Sequence, residues 1–360
     1  MKKKKLKPFV KVAIVLIILI GVLFTLYKVD AINKIKDYFT HEEKIKKPIV
    51  KPKLKIFDED SKTRVVGVSI NNHHAAWPHS GLQEAYLGYE LLAEGGITRL
   101  LAFYKDNLPE KIGSVRSARH YFIDYMLEND AIFAHFGHSP QALADIQSLG
   151  INNINGIYDS LAFYRDRSLL KSRDFEHTAF TSGTRIKEAI EKYKYRNTSD
   201  KKMLLNYSIK PLDLSNVEGV IKADKVFLKY SNYQSTSYDY DKENKVYLMS
   251  MSGKVHADAQ SGKQYSTKNI IVYDLLYTPI DNKGRANLNN IGNGTGMFIS
   301  EGKAVPILWQ KTSREAQTIY KYKDGNEVKV NDGNTWIHIL PKGKVPIIEA
   351  IEEETSSTTS

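Results

Sequence analysis

A chain of 360 residues, 42% hydrophobic and 26% charged, has the length for two cored domains once an anchor is set aside. Its net charge of +11 says little about the globular part, because residues 1–55 hold fifteen lysines against four acids and leave 37 bases and 37 acids from Ile56 onward. That balance argues against nucleic acid as a partner, and the absence of cysteine excludes disulfides, thiolate metal sites, a cysteine nucleophile and a lipid on an N-terminal cysteine.

The basic segment 1–8 precedes an apolar run, 9–27, broken only by Lys11 and Thr25. Nineteen helical residues span about 28 Å, close to the ~30 Å of a hydrocarbon core. The lysines predict a cytoplasmic N-terminus, with the bulk of the chain outside. A cleaved signal peptide would need a small-x-small site after the run, and Val22 to Lys28 has none. Residues 28–56 read as a lysine-rich, solvated stalk with Pro48 and Pro52, and 351–360 as a polar tail.

Residues 57–210 read as an α/β domain. Val65 to Ile70 is strand-like. Glu94-Gly95-Gly96, between Tyr86 to Ala93 and Ile97 to Tyr104, favours a hairpin, although Ser80 to Gln83 also resembles a capping box opening a helix. A helix is expected over 119–128, a strand over 131–136, and a second helix from Ser139-Pro140 to a stop at Gly150. A third helix is expected over 184–193. Residues 211–350 read as a mostly antiparallel β domain. Its runs begin near Val226, Val246, Ile270, Met297, Val305 and Thr318, with hairpin turns at Asp324-Gly325 and Asp332-Gly333. Gly292-Asn-Gly-Thr-Gly296 lacks the lysine of a phosphate loop and reads as a turn before a strand.

Nine of the eleven arginines lie between Arg64 and Arg196, with Arg99, Arg116, Arg119, Arg165 and Arg167 in three short segments. A guanidinium fork grips carboxylate or phosphate, and Arg116 and Arg119, three apart at a helix start, would share a side. Convergence would make an anion pocket, with His138 before a helix start as a further ligand contact. The bland alternative pairs these arginines with Glu90, Glu94, Asp124 and Asp166. His73, His74, His79 and His135 show no metal-ligand spacing, so no metal site is expected.

Pro78-His-Ser-Gly-Leu82, Ile112-Gly-Ser-Val-Arg-Ser-Ala-Arg119, Gly137-His-Ser-Pro-Gln-Ala142, Phe163-Tyr-Arg-Asp-Arg167 and Asn334-Thr-Trp-Ile337 resemble the YerB-like family of bacterial, mainly Gram-positive, lipoproteins. The resemblance implies an N-terminal and a C-terminal domain of unknown function and a place in the cell envelope. The chain departs from the pattern at Ser114, at Arg173-Asp-Phe-Glu-His177 and in lacking a lipidated cysteine.

A fainter similarity to LytR-type phosphotransferases implies arginines clamping a polyprenyl pyrophosphate with Mg2+, and Asp124 or Asp166 as the acid; otherwise no cofactor is expected. The partners expected are the membrane, a cell-wall or lipid-linked anionic ligand, and a protein partner.

Overall fold

The structure, a computed structural model, describes residues 7–42 and 52–351. Helix α1 (Pro8–Glu42) contains the expected anchor, and over Pro8–Tyr38 it is long and apolar enough to cross a membrane. It runs on past Tyr27 into the stretch read as a solvated stalk. No glycine or proline interrupts 28–42, and Asp30 pairs with Lys34 one turn on, at 3.1 Å. Pro48 and the tail beyond Ile351 lie outside the described residues.

Everything from Lys53 onward clusters as a unit separate from α1, and both hydrophobic cores draw their residues from Leu54 onward. The globular unit therefore supplies its own core. Its centre is an eleven-stranded sheet. The first half contributes β1 (Val66–Asn71), β2 (Leu87–Leu92), β3 (Thr98–Tyr104), β4 (Ile132–His135) and β5 (Asn153–Asn155). The second contributes β6 (Ile221–Lys222), β7 (Asn269–Leu275), β8 (Gly292–Ser300), β9 (Lys303–Lys311), β10 (Ile319–Tyr322) and β11 (Thr335–Pro341). The order is β6-β9-β8-β7-β11-β2-β3-β1-β4-β5, with β10 also on β9.

The fold is α+β with mostly antiparallel pairing, but a parallel seam runs through the middle. Strand β11 lies parallel to both β7 and β2, and β1 parallel to β4. The boundary expected near residue 211 therefore does not separate one core from another, because strands from both sides of it share one sheet. Asp332-Gly333 turns the chain into β11 without making a hairpin.

One face of the sheet carries Leu87, Tyr89, Leu91, Leu101 and Phe103 against Phe122, Tyr125 and Met126 of α2 (His120–Glu128) and Ala142 and Ile146 of α3 (Pro140–Ser148). The other carries Val66, Val68, Ile70, Leu100 and Ala102. These pack with α4 (Gly183–Lys192) and with Val226, Leu228, Tyr238 and Met249 of a second, six-stranded sheet. Period-two alternation sends successive side chains to opposite layers, which is why the central strands are buried on both faces.

Several expectations hold in detail: β2 and β3 form the hairpin, and Ser139 caps α3 by accepting from Ala142 N–H with Pro140 next in line. Ser80 to Gln83 opens no helix. Gly292 to Gly296 is the first half of β8 rather than a turn. A Cβ at position 294 would fall 2.8 Å from Trp309 Nε1, and one at 296 would fall 2.5 Å from the Val272 carbonyl. These two glycines let an indole and a neighbouring strand lie close.

Candidate functional site: an arginine group at the carboxyl ends of the strands

Strands β1 and β4 run parallel, and the segment Ser114–Arg119 is pinned between their carboxyl ends. Arg116 N–H donates to Ser69 O and Phe136 N–H to Arg116 O, both at 2.9 Å or less. Ala118 N–H donates to Gly137 O, and Ser139 N–H to Ala118 O. Gly137 has φ +84°, a left-handed conformation that suits glycine. Carboxyl ends of parallel strands are where open sheets leave room for ligands.

Four guanidinium groups gather here. Arg99, paired in register with Asn71, is only 7% exposed, and its Nε has no hydrogen-bond partner. Burial, and then the like charges of Arg119 and Arg116, push it down to about 9, so it still carries its proton at neutral pH. Arg119 stands at the N-cap of α2 with no side-chain cap bond and grips Glu94 with two prongs of 2.5 and 2.6 Å. Arg116 meets the exposed Glu176 at 3.0 Å, while its Nε is buried and unpartnered. Arg165 lies between the rings of Phe136 and Phe175, 4.4 and 4.2 Å from their centroids, and donates to Phe175 O at 2.6 Å. Its pKa is lowered by burial and then by Arg116.

Histidines line the same corner. His73 stacks on His177 at 4.8 Å, and His177 Nδ1 lies 2.7 Å from Asn71 Nδ2. Both rings are held below the usual histidine range, mainly by burial. His138 is half-buried and its Nε2 lacks a partner, whereas His135 is buried and bonded to Gly137 O and Asn153 Oδ1. Among the described residues, no group of three or more possible ligands is placed to hold a metal ion. His74 stacks on Tyr233, while His79 turns inward to His256 at 3.0 Å.

Arg99, Arg116, Arg119, Arg165 and His138 thus come from elements that meet at one end of the sheet. Arg167 is exposed on the short helix Arg167–Lys171 and takes no part in the contacts that tie the others together. The two aspartates are committed elsewhere. Asp124 accepts from Arg314 Nε at 2.6 Å and Asn290 Nδ2 at 2.8 Å, in a cleft of about 620 Å³ shared with Asp145. Asp166 binds Lys111 at 2.6 Å and caps its own turn through Ser168. Of the ion pairs in the bland alternative, Glu94 with Arg119 forms. Glu90 instead sits on the opposite layer among Asn72, Thr98, Gln234 and Thr236. Glu176 and the aromatic sandwich of Arg165 were not singled out from sequence.

Comparison with known proteins bears on the whole unit. Residues 54–196 match the family described as "Protein of unknown function (DUF3048) N-terminal domain", and 226–337 its C-terminal domain. The chain is 32% identical over 306 residues to "Putative lipoprotein YerB" of Bacillus subtilis (strain 168), covering 83% of this chain and 87% of that protein. The crystal structure of the Bacillus subtilis YerB protein superposes with a TM-score of 0.72 at 29% identity, covering 83% of this chain and 100% of that one. These matches carry no similarity to LytR-type phosphotransferases. With both halves matched and the fold shared, the chain belongs to the DUF3048 family, that of YerB.

Proposed function

We propose that this is a single-pass membrane protein of the cell envelope, its N-terminus in the cytoplasm and its globular unit outside, which binds an anionic ligand at the arginine group. The observation that carries the binding reading is Arg99: a cation 7% exposed, beside two other cations, with a buried Nε that lacks an acceptor. A buried, unpaired charge costs several kcal/mol. A phosphate- or carboxylate-bearing ligand from the cell wall or a lipid carrier would offset the repulsion among these cations. The anchor reading is supported by the apolar stretch of α1 and by the lipoprotein name of the Bacillus subtilis relative.

Titration calorimetry of residues 53–351 with inorganic phosphate, pyrophosphate and acetate tests the binding. At least a tenfold loss of affinity is expected in Arg99→Gln and in Arg116→Gln, and equal affinities in wild type and variants would refute the site. Protease added to intact cells tests the topology, with digestion of the globular unit expected. Neither Asp124 nor Asp166 is offered as a catalytic acid, because each already neutralises its own cation.

A further inference from the structure

Three large apolar side chains stand exposed around the arginine group: Ile157 at 57%, Tyr158 at 72% and Phe175 at 61%. Single exposed apolar residues need no explanation, but these three are fixed in place around one centre. Asn155 Oδ1 accepts from both Gly137 N–H and Ile157 N–H, and Tyr158 N–H donates to Asn155 O. Ile157 thereby lies over Gly137, where its Cδ1 would be 3.1 Å from any added Cβ, and the Tyr158 ring is 6.5 Å from that of His138. Phe175 is held by its carbonyl to Arg165 and stacks on that guanidinium. Hydrogen bonds to the site, rather than burial, hold these side chains outward.

The charge within this rim is unbalanced. Arg99, Arg116, Arg119 and Arg165 face Glu94 and Glu176, so two positive charges lack a carboxylate among the described residues. A carboxylate ligand would neutralise one; a phosphate monoester, with a charge of about −1.5 to −2 near neutrality, neutralises both. We infer that the ligand is a phosphate monoester on a hydrocarbon chain, a lipid phosphate. Its head is drawn to the guanidinium groups of Arg116, which is partly exposed, and of Arg99 behind it, and its chain lies across Phe175, Tyr158 and Ile157. This rests on the anion-binding reading above and adds the apolar half of the ligand.

The test is a titration series on residues 53–351 with inorganic, ethyl, butyl and octyl phosphate, each below its micellar concentration, with octanoate as the carboxylate control. Inorganic phosphate binds, and affinity rises roughly fourfold for each methylene covered by the rim. In Ile157→Ser/Tyr158→Ser the rise with chain length is lost while the inorganic phosphate affinity stays, which also reports an intact fold. A flat series in the wild type, with inorganic phosphate still bound, overturns the lipid inference and leaves the anion site standing. No binding by any member overturns both. A chain-length gain that survives the double variant, or octanoate binding as tightly as octyl phosphate, refutes the rim or the phosphate assignment respectively.

Discussion

Arg99 separates a binding residue from a packing one by the sign of its effect on stability. A guanidinium that holds a fold together loses stability when it is removed. This one sits among like charges with an unmet donor, so Arg99→Gln should leave the melting temperature unchanged or raise it, by an amount on the order of 1 kcal/mol in stability. A drop of several degrees in a thermal melt would mark it as structural. Glu176, more than half exposed against Arg116, competes with any incoming anion. Glu176→Gln should therefore tighten phosphate binding by up to about fivefold, the range of an exposed ion pair. Only some of this was legible from sequence. Arg116 and Arg119 stand close in sequence, but Arg116 lies outside α2, so helical spacing does not bring them together, and the burial of Arg99 depends on its register opposite Asn71. Asp124 looked available because Arg314, its partner, lies 190 residues away.

Buried histidines give the residue scale a second readout. His79 and His135 are both held at about 4 by burial, against an ordinary value near 6.5. Between those values the unfolded chain binds protons that the folded chain excludes, so stability falls as the pH is lowered from about 6.5 toward 4. Each ring removes on the order of 3 kcal/mol by pH 4. Urea midpoints followed over that interval should drop steadily, and a flat profile would contradict the buried, neutral assignment.

At the scale of elements, the end of α2 is tied to the end of β9 by one buried ion pair. Lys311 Nζ lies 2.8 Å from Glu128 Oε2, with both side chains essentially inaccessible. The carboxylate also accepts from Tyr89 OH and from Thr318 through both N–H and Oγ1. Lys311→Met should cost about 3–5 kcal/mol by stranding the carboxylate, measurable as a lowered denaturation midpoint. Adding Glu128→Gln should recover some of the loss. Elements were legible where local chemistry decides them, as at the Ser139-Pro140 start of α3 and the Gly-Gly turn between β2 and β3. They were misread where a distant side chain decides, as at Gly294, whose glycine exists for Trp309.

For the whole molecule, the family halves 54–196 and 226–337 are not separable bodies. Expressed alone, residues 53–210 would carry β2 without its parallel neighbour β11, and the Leu87, Tyr89 and Leu91 face would lose Ile271, Ile337 and Ile339. This fragment should be insoluble or lack a cooperative melt, whereas residues 53–351 should melt in one transition. Composition and pattern could separate an α/β text from a β text, but not reveal that the two interleave, since parallel pairing across some 250 residues leaves no local mark.

Strand β11 also comes last in chain order among the eleven strands of the sheet, and it fills the middle rather than the rim. Order of synthesis and order of assembly therefore run opposite ways. Until Pro341 is available, the chain holds two half-sheets with a vacant slot between them. Closure must await a contact of very long sequence separation, which makes folding slow for its size and leaves those inner edges open to whatever receives the new chain.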